Sequence, residues 1–292
     1  MRFQQLLITS LRRSNILCAS PLRSHYVTAL RPARYTIAAM SKPSDACCSI
    51  PPIISGAYDP KGDYKTVGGL KTYVTGPDSA SEAILYVYDI FGYFPQTLQG
   101  ADILATSDPE RKYRVFIPDF FEDNPGDISW LPANTEEKKK ALAEFFKTKA
   151  DIPTVLAKIP GIVANADKLA PDGSSFTKWA IIGCCWGAKV ASLAAGQDNI
   201  VFKAAVQCHP ALLDPNDAKQ VTAPMAVLAS KDEAVDAVKA YQENLKVPNY
   251  VETFSTQIHG WMAARSNLED PEVRKEYERG YRTALDFLHD HL

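Results

Sequence analysis

The chain contains 292 residues, of which 46% are apolar and 23% are charged, and its formal net charge is −2. These values indicate a soluble globular protein, and one α/β domain of about 240 residues is a normal size for such a fold. A nearly balanced charge gives no support to nucleic-acid binding, so we expect no nucleic-acid partner.

The first 40 residues differ from the rest in charge, because they contain six Arg and no Lys, Asp or Glu. This composition is typical of a mitochondrial presequence. The apolar run near the front, Leu6–Ile8, is too short for a secretory signal or a membrane span, and we expect no membrane partner. The alternative is an optional extension, since Met40 precedes Ser41-Lys42-Pro43 and is a second possible start. We therefore expect a mitochondrial protein, a cytoplasmic protein, or both forms.

Six cysteines lie at positions 18, 47, 48, 184, 185 and 208. Two adjacent pairs and two single residues do not form a disulfide framework, and no pair has the Cys-x-x-Cys spacing of a zinc or thioredoxin-like site. The pattern favours a reducing compartment. The sequence also has no Gly-rich phosphate loop and no cluster of metal ligands, so we expect no cofactor and no metal.

In the first half of the domain, Lys71–Thr75 predicts an early strand, and Ala83–Tyr88 is a nearly continuous apolar run. Such a run is typical of a strand buried on both faces of a parallel sheet. It delivers Asp89 and Ile90 to the carboxyl edge of the sheet, where ligands bind in open α/β folds. Phe91 is a candidate wall of the pocket, with ordinary core packing as the alternative.

The polar segment from Glu122 to Asn134 is the longest irregular stretch of the domain. Long loops in compact domains tend to be functional, and Trp130 is its candidate lid or pocket residue. The helix that follows contains Lys138–Lys140 among several Glu residues. That mixture indicates a solvated helix face rather than a nucleic-acid patch.

The motif Gly183-Cys184-Cys185-Trp186-Gly187 follows an apolar run and precedes a segment of small, helix-forming residues. Strand, sharp turn and helix in this order form a nucleophile elbow, whose central residue is held in a strained conformation between glycines. Cys185 occupies the central position, at a helix N-terminus that favours a thiolate. The alternative is a buried strand that ends in a tight turn with two inert thiols.

Two downstream positions complete a triad in the chain order of this motif. Met225–Ala229 predicts a buried strand, and Asp232 follows it as the candidate acid, with a helix N-cap as its alternative role. Tyr250–Phe254 alternates like a strand, and His259 in the next loop is the candidate base. His209 also follows an apolar strand and competes for the role of base, but it precedes Asp232 in the chain.

Alternating strands and helices predict a doubly wound, mostly parallel sheet with helices on both faces. The last helix, Pro271–Leu288, carries apolar and aromatic residues at helical spacing, and we expect this stripe to dock the helix on the sheet.

Over residues 45–292 the chain resembles the dienelactone hydrolase family (carboxymethylenebutenolidase-like) of the α/β-hydrolase superfamily. The resemblance lies in Tyr88–Gly92, in the elbow motif, and in the aspartate and His-Gly-aromatic positions after it. Asp45–Cys48 and the elbow sequence Gly-x-Cys-Trp-Gly-Ala-Lys are closest to the fungal branch.

The resemblance implies an α/β-hydrolase fold with Cys185 as nucleophile, Asp232 as orienting acid and His259 as base. It further implies an oxyanion hole formed by the N–H groups of Ile90 and Trp186.

Two departures from the bacterial members concern the thiol and the substrate. The position of Asp89 holds a Glu in those enzymes, where it contacts the resting thiol, so Asp89 is the candidate modulator of Cys185. An arginine that binds the substrate carboxylate lies four residues beyond the catalytic histidine in those enzymes. Here that position is Ala263, and Arg265 is the nearest arginine. Trp261, Arg265, Phe91 and Trp130 are the candidate substrate contacts.

We therefore predict a cysteine-dependent hydrolase that cleaves a lactone, enol ester or activated small ester through a thioester, as a monomer or homodimer. The alternatives are a general small-ester or thioester hydrolase of the same fold, and a non-catalytic protein that senses oxidants through Cys184 and Cys185.

Overall fold

The computed structural model describes residues 58–198 and 201–292. The predicted presequence, residues 1–40, lies outside the described residues, as does the 45–48 motif.

Within the described residues, eight strands form one sheet: β1 (Asp63–Val67), β2 (Leu70–Thr75), β3 (Glu82–Val87), β4 (Tyr113–Pro118), β5 (Lys178–Cys184), β6 (Phe202–Cys208), β7 (Met225–Ser230) and β8 (Asn249–Phe254). Their order across the sheet is β1-β2-β4-β3-β5-β6-β7-β8. The pairs β1–β2 and β2–β4 are antiparallel, and the other neighbouring pairs are parallel. The strand order reverses direction around β3, as in a doubly wound sheet.

The segments between and after the strands contain the helices α1 (Pro95–Thr106), α2 (Glu136–Thr148), α3 (Ile152–Ala166), α4 (Trp186–Ala194), α5 (Pro215–Ala218), α6 (Val235–Asn244) and α7 (Pro271–His291). They cover both faces of the sheet, which confirms the predicted layers. The irregular segment 122–134 contains one short 3-10 turn, Ile128–Trp130.

Burial along the strands explains why the central ones could be predicted. Every residue of β4 and β7 is buried, and so is nearly every residue of β3 and β5, as apolar strands covered by helices require. The edge strand β1 has the opposite character, because four of its five residues are exposed. Its polar sequence gives no hydrophobic signal, and this strand was not predicted.

The last helix docks on the sheet as predicted, and it also holds the segment that follows β8. Tyr277, Tyr281, Leu285 and Leu288 are all buried. The Tyr281 hydroxyl donates a hydrogen bond to the carbonyl of Met262 (2.7 Å) and lies 3.0 Å from the hydroxyl of Tyr86 on β3. Helix α7 therefore ties residues 260–266 to the centre of the sheet.

Among the residues that the structure describes, no helix is both long enough and apolar enough to span a bilayer. The same residues contain no group of three or more His, Cys, Asp or Glu side chains arranged to hold a metal ion.

Candidate active site

Four neighbouring parallel strands end side by side at the carboxyl edge of the sheet, in the order β3, β5, β6, β7. Asp89 follows β3, Cys185 follows β5, His209 follows β6, and Glu233 lies three residues beyond β7. Parallel strands deliver the residues after them to one edge. Titratable side chains from distant parts of the chain therefore meet at this edge.

Cys185 has the strained backbone of a nucleophile elbow, with φ 56° and ψ −113°. It is the residue immediately before α4, and only 3% of its surface is exposed. Its N–H donates to the Cys208 carbonyl (3.0 Å), and its carbonyl accepts from the Ala211 N–H (3.2 Å). The last residue of β6 and the turn after it thus bind the elbow backbone through both its N–H and its carbonyl, and these bonds stabilise a conformation that a cysteine rarely adopts.

Close backbone contacts require glycine at both ends of the elbow, which comprises residues 183–187. A Cβ atom at Gly183 would overlap the carbonyl of Gly187, and one at Gly187 would overlap the carbonyls of Val87 and Tyr88. Backbone atoms cannot move aside as a flexible side chain can. The Gly-x-Cys-x-Gly pattern is therefore explained by packing of the elbow on itself and on the end of β3.

The predicted oxyanion-hole residues lie on the two segments that meet at Gly187. Trp186 is the first residue of α4, and its indole N–H donates to the Ala150 carbonyl (3.0 Å). Ile90 follows β3, and its carbonyl accepts from the Gly126 N–H (2.7 Å). Both side chains are buried, so their backbones are held firmly beside the elbow.

His259 contacts an acid, but not the acid that was predicted. Its Nδ1 lies 2.6 Å from Oε1 of Glu233, and both side chains are buried. The Asp232 carboxylate instead accepts the backbone N–H of His259 (2.7 Å). The assignment of Asp232 as the acid on the imidazole is therefore corrected to Glu233, while Asp232 fixes the backbone of the histidine loop.

The geometry of the acid turn, residues 230–233, gives the reason. The Asp232 N–H donates to Oγ of Ser230 (3.2 Å), and the second carboxylate oxygen of Glu233 accepts the Ser230 N–H. Glu233 is one methylene longer than Asp232 and reaches the ring from this turn. Asp232 is not a helix N-cap either, since α6 begins at Val235 after Ala234. Two adjacent acids after a strand were visible in the sequence, but nothing there indicated which one faces the ring.

Asp89 is buried and joins two segments of the site. Its carboxylate accepts the N–H groups of Phe91 (2.9 Å) and Ala264 (3.2 Å). Burial raises the pKa of the Asp89 carboxyl above its usual 3.8, although these hydrogen bonds and the nearby Arg265 act in the opposite direction. Asp89 thus connects the turn after β3 to the segment after His259.

Arg265 is also buried, and its guanidinium carbon lies 5.5 Å from the centre of the Phe91 ring. Its side chain folds back over Gly260, where an added Cβ would overlap it. Gly260 has φ 93°, which permits this tight turn directly after His259. The structure therefore brings Arg265 and Phe91 together beside Asp89.

Trp261 lies in the core, between β8 and α7. Its ring stacks on Phe254 of β8, with the ring centres 4.3 Å apart, and its far edge packs against Gly280 of α7. This packing between β8 and α7 accounts for the aromatic residue of the His-Gly-aromatic motif. The prediction that Trp261 contacts substrate is corrected to a packing role.

A cavity of about 760 Å³ lies next to the turn after β3. Phe91 and Phe94 line one side, the 123–128 loop and Trp130 line another, and Phe145 of α2 contributes to the wall. Neither Trp261 nor Arg265 belongs to its lining. Two of the four predicted substrate contacts, Phe91 and Trp130, therefore share one cavity.

His209, the competing candidate for the base, is in contact with His259. The His209 and His259 rings meet edge to face, with their centres 5.3 Å apart. Burial lowers the pKa of His209 well below its usual 6.5, and the nearby His259 and Arg265 lower it further. The hydrogen bond to an acid belongs to His259, so the geometry favours His259 as the base. The closeness of the two histidines had no signal in the sequence.

Residues 70–292 match the dienelactone hydrolase family. The chain belongs to this family. An uncharacterized AIM2 family protein of Schizosaccharomyces pombe is 34% identical over 255 residues, which cover 83% of this chain and 98% of the relative. A carboxymethylenebutenolidase homolog of Xenopus tropicalis is 27% identical over 245 residues, or 80% of this chain and 93% of that protein. The predicted family, with its fungal branch, is confirmed.

The fold comparison agrees with the family. The crystal structure of a dienelactone hydrolase from Anabaena variabilis matches with a TM-score of 0.58 at 16% identity, over 80% of this chain and 98% of that chain. At this identity the likeness shows the fold alone, and it confirms the predicted α/β-hydrolase fold. Membership of the dienelactone hydrolase family makes the chain a hydrolase of the lactone or ester type.

Proposed function

We propose that the chain is a cysteine hydrolase of lactones and activated small esters, in which Cys185 is the nucleophile, His259 the base and Glu233 the orienting acid. The observation that carries this proposal is the buried contact of 2.6 Å between Glu233 and the His259 ring, at the sheet edge where the strained elbow presents Cys185. An acid on Nδ1 leaves Nε2 as the nitrogen that exchanges a proton with the nucleophile.

In the first half of the reaction, Nε2 of His259 takes the proton from Cys185, and the thiolate attacks the carbonyl carbon of the ester. The N–H groups of Ile90 and Trp186 stabilise the oxyanion. The carbon–oxygen bond to the leaving group breaks, and the leaving oxygen receives the proton from His259. In the second half, His259 activates a water that hydrolyses the thioester, and the proton returns to the Cys185 sulfur.

The nucleophile limits the substrate class. A thiolate attacks readily, but it is also a good leaving group, so a tetrahedral intermediate expels sulfur unless the other group leaves at least as easily. Enol lactones and aryl esters provide such a group, whereas peptides and simple amides do not. We therefore propose a small-molecule lactone or activated ester as substrate.

Asp89 has two proposed roles. Its carboxylate holds the turn that carries Ile90 against the segment after His259, which aligns the oxyanion hole with the base. The same carboxylate is proposed to modulate the thiol. Its raised pKa supports this second role, and so does its position after β3, the strand next to β5, which Cys185 follows.

The decisive experiment is burst kinetics with a nitrophenyl ester and with a dienelactone. We expect the wild type to show a burst and steady turnover, and Cys185→Ala to lose both, with turnover at least about a thousandfold lower. Cys184→Ala is the matched control, because it changes the adjacent thiol and should keep the burst. A Cys185→Ala variant that retains turnover would refute the mechanism. Preference for the dienelactone would indicate a lactone hydrolase, and preference for the nitrophenyl ester would indicate a general esterase.

The sensing alternative is poorly supported at Cys184. This thiol is fully buried and lies 3.0 Å from the Tyr86 hydroxyl. Burial raises the pKa of Cys184 well above 9.0, and the facing Cys208 raises it further. An oxidant sensor needs an accessible thiolate, and Cys184 provides neither property.

We further propose that residues 1–40 direct the protein to mitochondria, while a start at Met40 gives a cytoplasmic form. The proposal rests on the arginine content and lack of acids in this segment. A fluorescent protein fused behind residues 1–40 should enter mitochondria, and the same fusion with all six arginines changed to serine should stay outside. Equal distribution of the two fusions would contradict the targeting role.

A further inference from the structure

His209 combines three unusual features that packing alone does not explain. It is completely buried, and its backbone has φ 38°, in the left-handed region that side-chain-bearing residues rarely adopt. Within residues 58–198 and 201–292, neither ring nitrogen has a hydrogen-bond partner. Buried polar groups are nearly always paired, so these two nitrogens are available to a partner from outside the chain.

The backbone around His209 places it directly beside the elbow. Its own N–H donates to the Leu228 carbonyl of β7 (2.8 Å), while the residue before it accepts from the Cys185 N–H. Two positions after it, the Ala211 N–H donates to the Cys185 carbonyl. His209 therefore sits in the turn that clamps the elbow, between the strand of the nucleophile and the strand of the acid.

The ring contact places the side chain beside the reaction. The His209 ring lies edge to face with the His259 ring, 5.3 Å between centres. In the proposed function, His259 exchanges a proton with the sulfur of Cys185, so an acyl group bound to that sulfur lies close to both imidazoles. An unpaired nitrogen of His209 can then meet the acyl group.

The charges near His209 define what it can bind. Burial disfavours a positive charge on His209, and the nearby His259 and Arg265 act in the same direction. A neutral imidazole has one N–H donor and one acceptor nitrogen. Such a ring is suited to a neutral carbonyl group, whose oxygen accepts a hydrogen bond, or to a neutral hydroxyl group, which both accepts and donates.

We propose that His209 is a substrate-contacting specificity residue, which hydrogen-bonds a neutral oxygen in the acyl part of the ester next to the scissile carbonyl. This inference rests on the proposed cysteine mechanism and deepens it by naming the substrate class. The preferred esters and lactones carry a hydroxyl or carbonyl oxygen near the reacting carbon, and purely hydrocarbon acyl groups are poor substrates.

The test compares two nitrophenyl esters, a beta-hydroxybutanoate and the isostere in which a methyl group replaces the hydroxyl. The measured quantity is the ratio of kcat/KM for the two esters, since a general loss of activity cancels in this ratio. His209→Phe keeps the aromatic contact with His259 but removes both nitrogens. His209→Asn removes the ring but keeps a donor and an acceptor, and Asn tolerates the left-handed backbone. His209→Gly also accepts that backbone and lacks both features, so it replaces the Phe variant if that variant does not fold.

We expect the ratio to favour the hydroxy ester in the wild type, to fall on the order of tenfold in His209→Phe and His209→Gly, and to stay within about threefold of wild type in His209→Asn. A ratio that is unchanged in His209→Phe overturns the proposal. The proposal is also overturned if His209→Phe keeps its activity on both esters and His209→Asn loses it, because His209 would then act only by packing against His259. If the wild type shows no Cys185-dependent burst, the cysteine mechanism is overturned as well. The burst therefore distinguishes a failure of the mechanism from a failure of the His209 proposal alone.

Discussion

The elbow and the acid turn stand two strands apart at the same sheet edge, but different forces hold them. The elbow is held by backbone contacts: Cys185 keeps a strained φ of 56° because Gly183 and Gly187 allow main chains to touch. The acid turn is held by hydrogen bonds that the carboxylates of Asp232 and Glu233 accept from the histidine loop. Steric contacts tolerate almost no change in residue type, whereas hydrogen bonds depend on which side chain reaches its partner. Four predictions test this difference.

The largest effect should come from breaking a steric contact of the elbow. In Gly183→Ala the new Cβ meets backbone atoms of Gly187 and Ala188, which cannot yield without moving β5 away from α4. We expect a loss of about 3–5 kcal/mol in the free energy of unfolding, measured by denaturant titration, together with loss of the burst.

The matched control for this prediction is Gly161→Ala. Gly161 lies inside α3 and an added Cβ there meets nothing within 4 Å. Alanine should stabilise this helix position by about 0.5–1 kcal/mol. If the two variants were equally stable, steric contact would not be what holds the elbow.

The second prediction separates the two acids. Glu233→Gln replaces the carboxylate that faces the His259 ring with a neutral amide. The amide can pair with either tautomer of the imidazole, so kcat should fall by about a thousandfold or more. Asp232→Asn keeps an oxygen for the His259 N–H and should cost about tenfold or less. Steady-state kinetics of both variants on one nitrophenyl ester decide the point, and a larger loss in Asp232→Asn would restore the original assignment.

This pair of acids also shows where prediction from the sequence ends. Continuous apolar runs identified β3, β5 and β7, and the glycine spacing identified the elbow, since both patterns follow from local sterics. The polar edge strand β1 gave no such signal. Choosing Glu233 over Asp232, placing Trp261 in the core and bringing His209 against His259 all depend on contacts between different elements of the fold. A single sequence does not encode those distances in any local pattern.

The third prediction concerns pH and the residue that lies between the two regions. The folded protein keeps His209 neutral, because burial lowers its pKa well below 6.5, whereas the unfolded chain binds a proton below about 6.5. Acid therefore favours the unfolded state, and this contribution to stability is lost as the pH falls below about 6.5. The slope expected from His209 is about 1.4 kcal/mol per pH unit.

Denaturant titrations at several pH values between about 6.5 and 5 measure this slope. His209→Asn removes the titrating group, so the pH dependence of its unfolding free energy should be flatter than that of the wild type by the same amount. Parallel curves for the two proteins would show that His209 takes up a proton in the folded state as readily as in the unfolded state.

The smallest effect should come from loosening the tether that α7 provides to the histidine side. Tyr281→Phe removes the hydroxyl that donates to the Met262 carbonyl and contacts Tyr86, which leaves a buried carbonyl without this donor. We expect a cost of about 1–2 kcal/mol in unfolding free energy and a loss of turnover of about tenfold or less, because the segment after His259 becomes less well held while the elbow is untouched. Tyr64→Phe, on the exposed edge strand β1, is the control and should stay within about 0.5 kcal/mol of wild type. If Tyr281→Phe lost the Cys185 burst altogether, the elbow would depend on α7 as strongly as the acid turn does, and the two regions would not be held independently.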